Sequence, residues 1–419
     1  MVSADEALRL VLDSVKTLAV ERVGLREAHG RVLADEIRSP RDIPGFDNSA
    51  MDGFAVLFAD VSGASESNPV KLRVIETIAA GKMPNAPVVA GTASRIMTGA
   101  PLPSGADAII PVEQTRGSSD TVEILAIEPG RNFIRPRGED LRVGQQVLSP
   151  GQRLSAADIG LLASLNRSVV DVYRRVRVAI VSTGDELVDV DQIPTGAQVV
   201  NSSAYALSAG VESAGGEATV LRVARDTERE VTERLSEALS FDVVLTTGGV
   251  SVGQFDHVKV VMDQLGLKQL FHGVAQKPGR PLKFGLIEDR PVFGLPGNPV
   301  STLVCFYLYA YPALLKMMGR GEIGLPRVTV KCAADIKLAK NLTEFVRVSI
   351  ENRNGERVAM PTGNQGSGIL SSMSRADGLL IGPASQDLLK AGAQATVLLL
   401  ATEAAGDSTA FFEERHRRH

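Results

Sequence analysis

The sequence predicts a multi-domain α/β protein. A doubly wound α/β domain follows N-terminal helical and β-rich domains and precedes a C-terminal β-barrel-like domain. The chain has 419 residues, too many for one ordinary domain. From residue 177 to residue 326, apolar strands alternate with amphipathic helices, which is typical of a parallel sheet covered on both faces. On either side, short Val/Ile runs alternate with Gly/Pro turns and indicate β-rich structure.

The region before residue 173 is predicted to be a helix followed by β-structure. Ser3 and Glu6 form a Ser-x-x-Glu capping box, which predicts that a helix begins there. Strand patterns then occur at 71–78, 108–111 and 121–127. Ser155 is a candidate N-cap for a second helix, which should end near residue 164.

In the central region, strands and helices are predicted to alternate. The strands are predicted at 177–182, 217–223, 241–247 and 291–295, and the helices at about 201–214, 227–239 and 257–265, with a long helix after Pro299. Asn201 or Ser202 is the predicted N-cap of the first of these helices. The apolar run 300–318 contains Ser, Thr, three tyrosines and a proline, so we expect a buried helix and not a membrane span.

Strand patterns return after Pro326. They are predicted at 327–331, 344–351, 357–360 and 394–400, with a hairpin turn at 352–355. Residues 404–419 are predicted to be a disordered tail.

The composition excludes several classes of function. The net charge of -4 gives no general attraction to nucleic acid or to an anionic membrane, and 4% aromatic residues without Trp disfavour base stacking. Cys305 and Cys332 are far apart, which disfavours a zinc or iron–sulfur site and indicates buried thiols in a reducing compartment. Because the N-terminus carries no signal-peptide pattern, we expect a cytoplasmic protein.

Two loops after predicted strands indicate an anion-binding site. Glycines in the first loop let backbone N–H groups converge, and the next helix adds its positive end. Ligands bind beyond the carboxyl ends of the strands in such sheets, so we expect a phosphate there. The candidate substrate-binding residues at these strand ends are Thr183, Gly248, Gly249, Ser251, Gly253, Pro296, Gly297, Asn298, Pro299 and Ser301. The alternative is that the glycines only close a βα turn.

Carboxylates follow three of the same strands. Glu186, Asp226 and Asp256 would repel a bound phosphate unless a hard cation lay between them, and Mg²⁺ joins carboxylates to phosphate oxygens. We therefore expect a Mg²⁺ site, with Asp226 and Asp256 as the preferred ligands and Glu186 as the third. The alternative is that Asp226 and Asp256 only cap helices.

A basic turn between the two loops supplies cations. Arg280 can bind a phosphate through two N–H groups, and Lys277 can act as a point charge. The alternative is a solvated basic turn. The sequence holds no P-loop motif, which excludes P-loop ATPases, and its five histidines show no metal-ligand spacing.

Six motifs together resemble the MoeA family, the molybdopterin molybdenumtransferases, to which the E domains of gephyrin and of a plant homologue are similar. In chain order the motifs are Asn48-Ser49-Ala50-Met51-Asp52-Gly53, Ile96-Met97-Thr98-Gly99-Ala100-Pro101, Ser182-Thr183-Gly184-Asp185-Glu186-Leu187, Thr247-Gly248-Gly249-Val250-Ser251-Val252-Gly253, Lys277-Pro278-Gly279-Arg280-Pro281 and Leu295-Pro296-Gly297-Asn298-Pro299. The glycine-loop motif is shared with smaller Mog-type adenylyltransferases. The Asp52 and Thr98 motifs and the stretch from Thr362 to Ser367 are specific to MoeA.

The resemblance implies an elongated homodimer of four domains, with the active cleft between the doubly wound, MogA-like domain of one subunit and the N-terminal domains of the other. The expected domains are a discontinuous N-terminal helical domain (1–26, 44–54 and 138–172), a β-rich domain (27–43 and 55–137), the molybdopterin-binding α/β domain (173–326) and a C-terminal β domain (327–403).

The resemblance also assigns site residues. Acidic site positions of the family fall on Asp52, Asp140, Glu186, Asp226 and Asp256, and other positions tied to activity fall on Thr98, Lys277, Pro296, Pro299, Arg347 and Ser367. Gly273 stands where the family has a further lysine, which removes one expected contact to molybdate or phosphate. Arg280 replaces a frequent lysine.

The implied reaction is Mg²⁺-dependent insertion of molybdate into adenylylated molybdopterin with release of AMP. A Mog-type adenylyltransferase would act upstream, and molybdoenzyme chaperones or apoenzymes downstream. Two alternatives are a molybdopterin adenylyltransferase and a non-enzymatic scaffold like gephyrin. ATP consumption with free molybdopterin, or peptide capture, would indicate these two respectively.

Overall fold

The structure is a computed structural model that describes residues 1–117, 119–128, 130, 132–248 and 257–400. The chain forms two compact units. The main unit comprises Met1–Ala34, Pro150–Ala156 and Val169–His419, and the inserted unit comprises Asp35–Ser149 and Ala157–Ser168. The finer domain boundaries expected from the family stay a prediction, and the predicted tail lies outside the described residues.

The helices of this part of the chain are, in order, α1 (Ala4–Ser14), α2 (Phe58–Val61), α3 (Ala156–Ser164), α4 (Ser202–Ala214), α5 (Glu228–Ala238), α6 (His257–Gln264), α7 (Pro299–Cys305), α8 (Tyr311–Met317) and α9 (Leu370–Ser374). Short 3-10 turns occur at Leu25–Glu27 and Val112–Gln114, and a π turn at Phe306–Ala310 joins α7 to α8.

The strands are β1 (Val20–Gly24), β2 (Ile37–Arg38), β3 (Asn48–Ser49), β4 (Gly53–Val56), β5 (Val70–Ile78), β6 (Thr92–Ile96), β7 (Ala108–Pro111), β8 (Thr115–Gly117), β9 (Thr121–Ile124), β10 (Ile134–Arg135), β11 (Gln146–Leu148), β12 (Val169–Tyr173), β13 (Arg177–Ser182), β14 (Leu187–Val188), β15 (Val199–Val200), β16 (Glu217–Val220), β17 (Val243–Thr247), β18 (Lys268–His272), β19 (Gln276–Lys277), β20 (Lys283–Ile287), β21 (Arg290–Leu295), β22 (Arg327–Cys332), β23 (Ile336–Lys337), β24 (Thr343–Arg353), β25 (Glu356–Pro361), β26 (Gly378–Gly382), β27 (Leu388–Leu389) and β28 (Gln394–Leu399).

The inserted unit is built on a six-stranded sheet in the order β7-β4-β6-β5-β9-β8, as the β-rich pattern predicts. Strand β4 lies between β6 and β7, and all four of its residues are buried. Gly53 begins this strand, and a Cβ atom there would lie 2.1 Å from the carbonyl oxygen of Ile110 on β7. Only glycine therefore permits this close pairing of strands.

The main unit contains the predicted doubly wound domain. Its sheet has the order β16-β13-β17-β21-β20-β18, and β16, β13, β17 and β21 are parallel. Helices α4, α7 and α8 pack on one face against Val178 and Leu245. Helices α5 and α6 pack on the other face against Ala179 and Val244. The alternation of buried side chains along β13 and β17 thus fills two cores.

The sheet is mixed, because two antiparallel strands extend the predicted parallel sheet at one edge. Strands β20 and β18, which the sequence analysis missed, run antiparallel to their neighbours. A two-residue turn joins β20 to β21, and its residues Glu288 and Asp289 both have positive φ. This turn has the form of a tight hairpin but lacks the glycine that usually reveals one.

The apolar run after Pro299 is a buried helix, as predicted. Among the described residues, Pro299–Met317 is long and apolar enough by length and composition to span a membrane, but 78% of its most apolar window is buried in the protein. Cys305 within it and Cys332 are both free and buried, as predicted. Burial raises the pKa of the Cys305 thiol, which keeps it protonated.

The C-terminal domain is a closed barrel, which confirms the barrel-like prediction. Strands β24, β25, β22, β28 and β26 pair successively, and β26 also pairs with β24 to close the ring. The predicted hairpin joins β24 to β25 through Asn354 and Gly355, both with positive φ. The short strand β19 adds to this sheet alongside β24.

We expect Gly53→Ala to lower the unfolding free energy of the inserted unit by about 1–3 kcal/mol, because the new methyl group must push the β7 backbone away. Gly63→Ala is the control, since a Cβ atom there would meet no atom within 4 Å. Calorimetric unfolding of both variants tests the prediction, and equal stabilities would contradict it.

Candidate active site

Three strand ends of the main sheet meet at one edge. The parallel register places Ser182 beside Thr247 and Thr247 beside Leu295. The residues that follow, Thr183 and Gly248, therefore lie at the carboxyl edge with the loop after Leu295. This is the edge at which open α/β sheets bind ligands.

A cavity of about 540 Å³ opens at this edge. Six of the predicted site residues line it: Thr183, Glu186, Gly248, Gly297, Asn298 and Pro299. The other lining residues, which the sequence analysis missed, are Leu187, Val199, Val200, Asn201, Ser202, Ser203 and Thr247. Several of these come from the small β14–β15 ladder and the start of α4, where a predicted helix cap was the only signal in the sequence.

Gly248 has φ +92°, and a Cβ atom there would lie 2.7 Å from the carbonyl oxygen of Thr183. The loop thus begins in a conformation that only glycine adopts easily, in keeping with the predicted turn. Its remaining predicted residues, Gly249, Ser251, Gly253 and Asp256, lie outside the described residues.

The carboxylates at the edge are exposed. Glu186 bends back over Gly184, since a Cβ atom on Gly184 would lie 2.5 Å from Oε2 of Glu186. The backbone N–H of Asp226 donates to Oδ1 of Asp185 at 3.2 Å, and Arg225 donates to the carbonyl oxygen of Asp185 at 2.8 Å. These bonds tie the loops after β13 and β16 together.

Carboxylate oxygens are the donors that Mg²⁺ prefers. Within the described ranges, however, no group of three or more His, Cys, Asp or Glu side chains is arranged to hold a metal ion. Of the three predicted ligands, Glu186 lines the cavity and Asp226 does not, and Asp256 lies in the segment that is not described. The described residues alone do not form the predicted metal site.

The basic turn does not line the cavity. Nζ of Lys277 lies 2.9 Å from a carboxylate oxygen of the nearly buried Glu344, on barrel strand β24. Arg280 is exposed. In the second loop, Pro296 and Ser301 are buried and do not line the cavity. The carbonyl oxygen of Pro296 accepts a hydrogen bond from Oγ1 of Thr302 at 2.5 Å.

Arg347, which the resemblance ties to activity, is fully buried, so the geometry supports a positioning role for it. Its guanidinium donates to Oγ of Ser372 at 2.6 Å and to the carbonyl oxygens of Asn364 and Gly366 at 3.2 and 3.1 Å. Burial lowers the pKa of the guanidinium, and nearby Glu344 opposes that shift. Arg347 therefore holds the loop that precedes Ser367.

That loop reaches the start of α7. The carbonyl oxygen of Ser367 accepts from the backbone N–H of Val300 at 3.1 Å. Asn298 and Pro299, which line the cavity, immediately precede Val300. The barrel thus supports one wall of the cavity through this backbone hydrogen bond.

In the inserted unit, Asp52 and Thr98 form a pair. Oδ1 of Asp52 accepts from both the backbone N–H and Oγ1 of Thr98, each at 2.7 Å. The backbone bond first, and then the side-chain bond, hold the pKa of the exposed Asp52 below its usual value. Asp140, the other predicted acid in this unit, is exposed, and its N–H donates to the Ile43 carbonyl oxygen at 3.0 Å.

Comparison with known proteins places the chain in a family. The model of the MoeA N-terminal region (domains I and II) matches residues 2–166, that of a probable molybdopterin binding domain matches 179–316, and that of the MoeA C-terminal region (domain IV) matches 329–400. The molybdopterin molybdenumtransferase of Nostoc sp. is 36% identical over 91% of this chain and 88% of its own length. This chain belongs to the MoeA family.

Further relatives match this MoeA chain over nearly its whole length. Molybdopterin molybdenumtransferase 2 of Mycobacterium tuberculosis is 36% identical over 95% of this chain and 99% of its own. The crystal structure of the molybdopterin biosynthesis MoeA protein from Pyrococcus horikoshii OT3 is 33% identical. It covers 95% of this chain and 100% of its own, with a TM-score of 0.81. The family resemblance predicted from the six motifs is confirmed.

We expect Thr98→Val to raise the pKa of Asp52 toward its usual value, because it removes the side-chain hydrogen bond that stabilises the carboxylate. Asp52 would then protonate at higher pH as the solution is acidified. Titration of the Asp52 carboxyl carbon by NMR measures the shift. Thr98→Ser keeps the hydroxyl and should titrate like the wild type. An unchanged pKa in the valine variant would contradict the assigned cause.

We expect Arg347→Met to lower the unfolding free energy of the main unit by about 2–4 kcal/mol, because it leaves buried acceptors without their donor. Hydrogen exchange in the loop 362–368 should also accelerate. Arg375→Met is the control, since the exposed Arg375 makes one 3.4 Å bond to the same segment, at Thr362. Equal exchange rates in the two variants would refute the positioning role.

Proposed function

We propose that this MoeA-family chain inserts molybdate into the dithiolene of adenylylated molybdopterin and releases AMP, the final step of molybdenum cofactor synthesis. Relatives with 31–36% identity over most of the chain carry the name molybdopterin molybdenumtransferase. The observation that supports the proposal is the cavity at the carboxyl edge of the main sheet, where Thr183, Gly248 and Gly297 meet.

In this proposal the strand-end loops bind the phosphates of the substrate. The backbone at Gly248 turns toward the cavity without a side chain in the way. Glu186 enters the same cavity as an exposed carboxylate, and Asp226 approaches the edge from the loop after β16. With Asp256, they would hold a Mg²⁺ ion, which when bound would neutralise charge on the phosphates.

The cations of the basic turn have unequal roles in this proposal. Arg280 is exposed, so it is the residue available to offset charge on a phosphate or on molybdate. Lys277 is already paired with Glu344 at 2.9 Å, so it must exchange that partner before it can contact a ligand. Gly273 leaves the expected third cation missing, which gives Arg280 more weight here than the family pattern implies.

The remaining expectations rest on the family resemblance. The chain is expected to form a homodimer in which Asp52 and Asp140 serve the partner subunit's cleft. It is also expected to act in the cytoplasm between a Mog-type adenylyltransferase and molybdoenzyme chaperones or apoenzymes. Mixing inactive Asp52→Asn and Glu186→Gln proteins tests the first expectation, because mixed dimers would regain one intact cleft.

The test of the function is a reaction of purified protein with adenylylated molybdopterin, molybdate and Mg²⁺, followed by AMP release and active cofactor. The expected result is formation of both products, and of neither when Mg²⁺ is removed with EDTA. ATP consumption with free molybdopterin would instead identify an adenylyltransferase. Absence of both reactions, together with capture of a peptide partner, would indicate a scaffold.

We expect Glu186→Gln and Asp226→Asn each to slow AMP release by about 100-fold, because each removes a charge that the reaction needs at the phosphates. Asp191→Asn is the matched control, because it removes an exposed carboxylate five positions after Glu186 that lies outside the cavity lining. The stabilities of all three should match the wild type. Wild-type rates in both site variants would exclude these carboxylates from the reaction.

A further inference from the structure

The basic turn, residues 277–281, carries two exposed cations on a buried backbone. Lys277 and Arg280 are exposed, whereas Pro278 and Gly279 between them are buried. The groups that contact Pro278 and Gly279 from inside the protein therefore set the position from which the two cations project.

Gln276 binds this buried part of the turn. Its side chain is fully buried, and its Nε2 donates to the carbonyl oxygen of Pro278 at 3.0 Å. Its Oε1 accepts a hydrogen bond from the hydroxyl of Tyr309, which is 1% exposed. Because a carbonyl oxygen can only accept, Pro278 requires the NH₂ end of the amide, and Tyr309 supplies the donor that the other end needs.

Helix α7 makes a second contact with the turn. The thiol of Cys305, its last residue, donates to the carbonyl oxygen of Gly279 at 3.4 Å. A Cβ atom at Gly279 would lie 2.9 Å from Nε2 of Gln276 and 3.5 Å from the carbonyl oxygen of Ser301. The backbone of the turn thus packs directly on α7 and has no room to move closer to it.

The same helix begins at the cavity. Asn298 and Pro299 line the cavity and occupy the N-cap and the first position of α7. The π turn that carries Tyr309 follows α7 directly, and such turns are frequent at functional sites. The contacts at the end of α7 therefore fix the basic turn relative to the loop that lines the cavity.

These polar contacts lie in an otherwise apolar core. Cys305 and Tyr309 belong to the core that α4, α7 and α8 form against the main sheet. One buried hydrogen bond adds little net stability, so stability alone does not call for a polar network here. Such a network does specify a single arrangement, because any other leaves its donors and acceptors unpaired. The network is therefore suited to holding a segment in place.

We propose that Gln276 and Tyr309 are positioning residues, which hold the basic turn where the Arg280 guanidinium can bind an anionic group of the substrate. The inference rests on the proposed function, in which Arg280 offsets charge on a phosphate or on molybdate. Gln276 and Tyr309 act through the backbone of the turn and do not touch the ligand. Lys277 has a further restraint in Glu344, so the effect of the network is carried by Arg280.

The first measurement is hydrogen exchange over residues 273–282 in the full chain without ligand. The N–H groups of Val274 and Leu282 donate to the carbonyl oxygens of Arg280 and Gly279, so their exchange reports on the turn. We expect Tyr309→Phe to accelerate this exchange about ten-fold, because the amide of Gln276 loses its donor.

Tyr307→Phe is the matched control. Tyr307 lies in the same π turn, and its hydroxyl makes no hydrogen bond within the described part of the chain. This variant should exchange like the wild type. If circular dichroism shows that Tyr309→Phe is unfolded, Tyr309→Phe combined with Gln276→Met takes its place, because removing both partners leaves no unpaired amide.

The second measurement is a double-mutant cycle with Arg280. In the presence of Mg²⁺, the shift of the thermal unfolding midpoint with AMP and with molybdate reports the affinity for each. We expect Tyr309→Phe and Arg280→Gln each to weaken binding of one or both ligands about ten-fold. The double variant should bind no more weakly than Arg280→Gln, because the position of the turn has no effect once the guanidinium is absent. Tyr307→Phe should stay within about two-fold of the wild type.

Four outcomes would overturn the positioning role: unchanged exchange in Tyr309→Phe, wild-type affinities in Tyr309→Phe, wild-type affinities in Arg280→Gln, or additive losses in the double variant. Neither measurement needs turnover. The expected exchange and coupling without cofactor formation would therefore refute only the proposed function. Cofactor formation with additive losses would refute only the positioning role.

Discussion

The parallel register of β13, β17 and β21 is the constraint on which the rest of the site depends. The hydrogen bonds that place Ser182, Thr247 and Leu295 side by side also fix the positions of the residues that follow them. Three loops, the first and last of which are more than a hundred positions apart in the sequence, then share one cavity. The two apolar cores on either face fix that register, since a slip by one residue would turn buried side chains toward the wrong helices.

Much of this arrangement could be predicted because it is local. Apolar strands, Gly248 with its left-handed backbone and the turn at Asn354 all leave signals within a few residues. The missed features depend on contacts between distant segments. No pattern near Asn201 shows that Ser182 withdraws it from capping, and no pattern near Arg347 shows that its charge is buried.

The candidate site was predicted less completely than the fold for the same reason. The strand-end residues were found because topology alone brings them together, and six of them line the cavity. The basic side chains were assigned to the site from their residue type and their place in the sequence. Neither carries information about their ion-pair or hydrogen-bond partners. Lys277 proves to face a barrel carboxylate, and Arg347 proves to hold a loop from within the barrel. The barrel therefore acts on the site by supporting it.

The pairing of the two-residue strand β19 affects whether the doubly wound domain can be separated from the barrel. In the sequence β19 lies between β18 and β20 of the doubly wound domain, yet its backbone pairs with β24 of the barrel. Removing the barrel at the linker near Pro326 would take away the strand to which β19 is hydrogen-bonded. The backbone N–H and C=O groups of β19 would then be unpaired. Arg280 lies three residues after the end of β19, so a fragment without the barrel would lose the backbone pairing that anchors its basic turn. The doubly wound domain therefore depends on the barrel for the position of this turn.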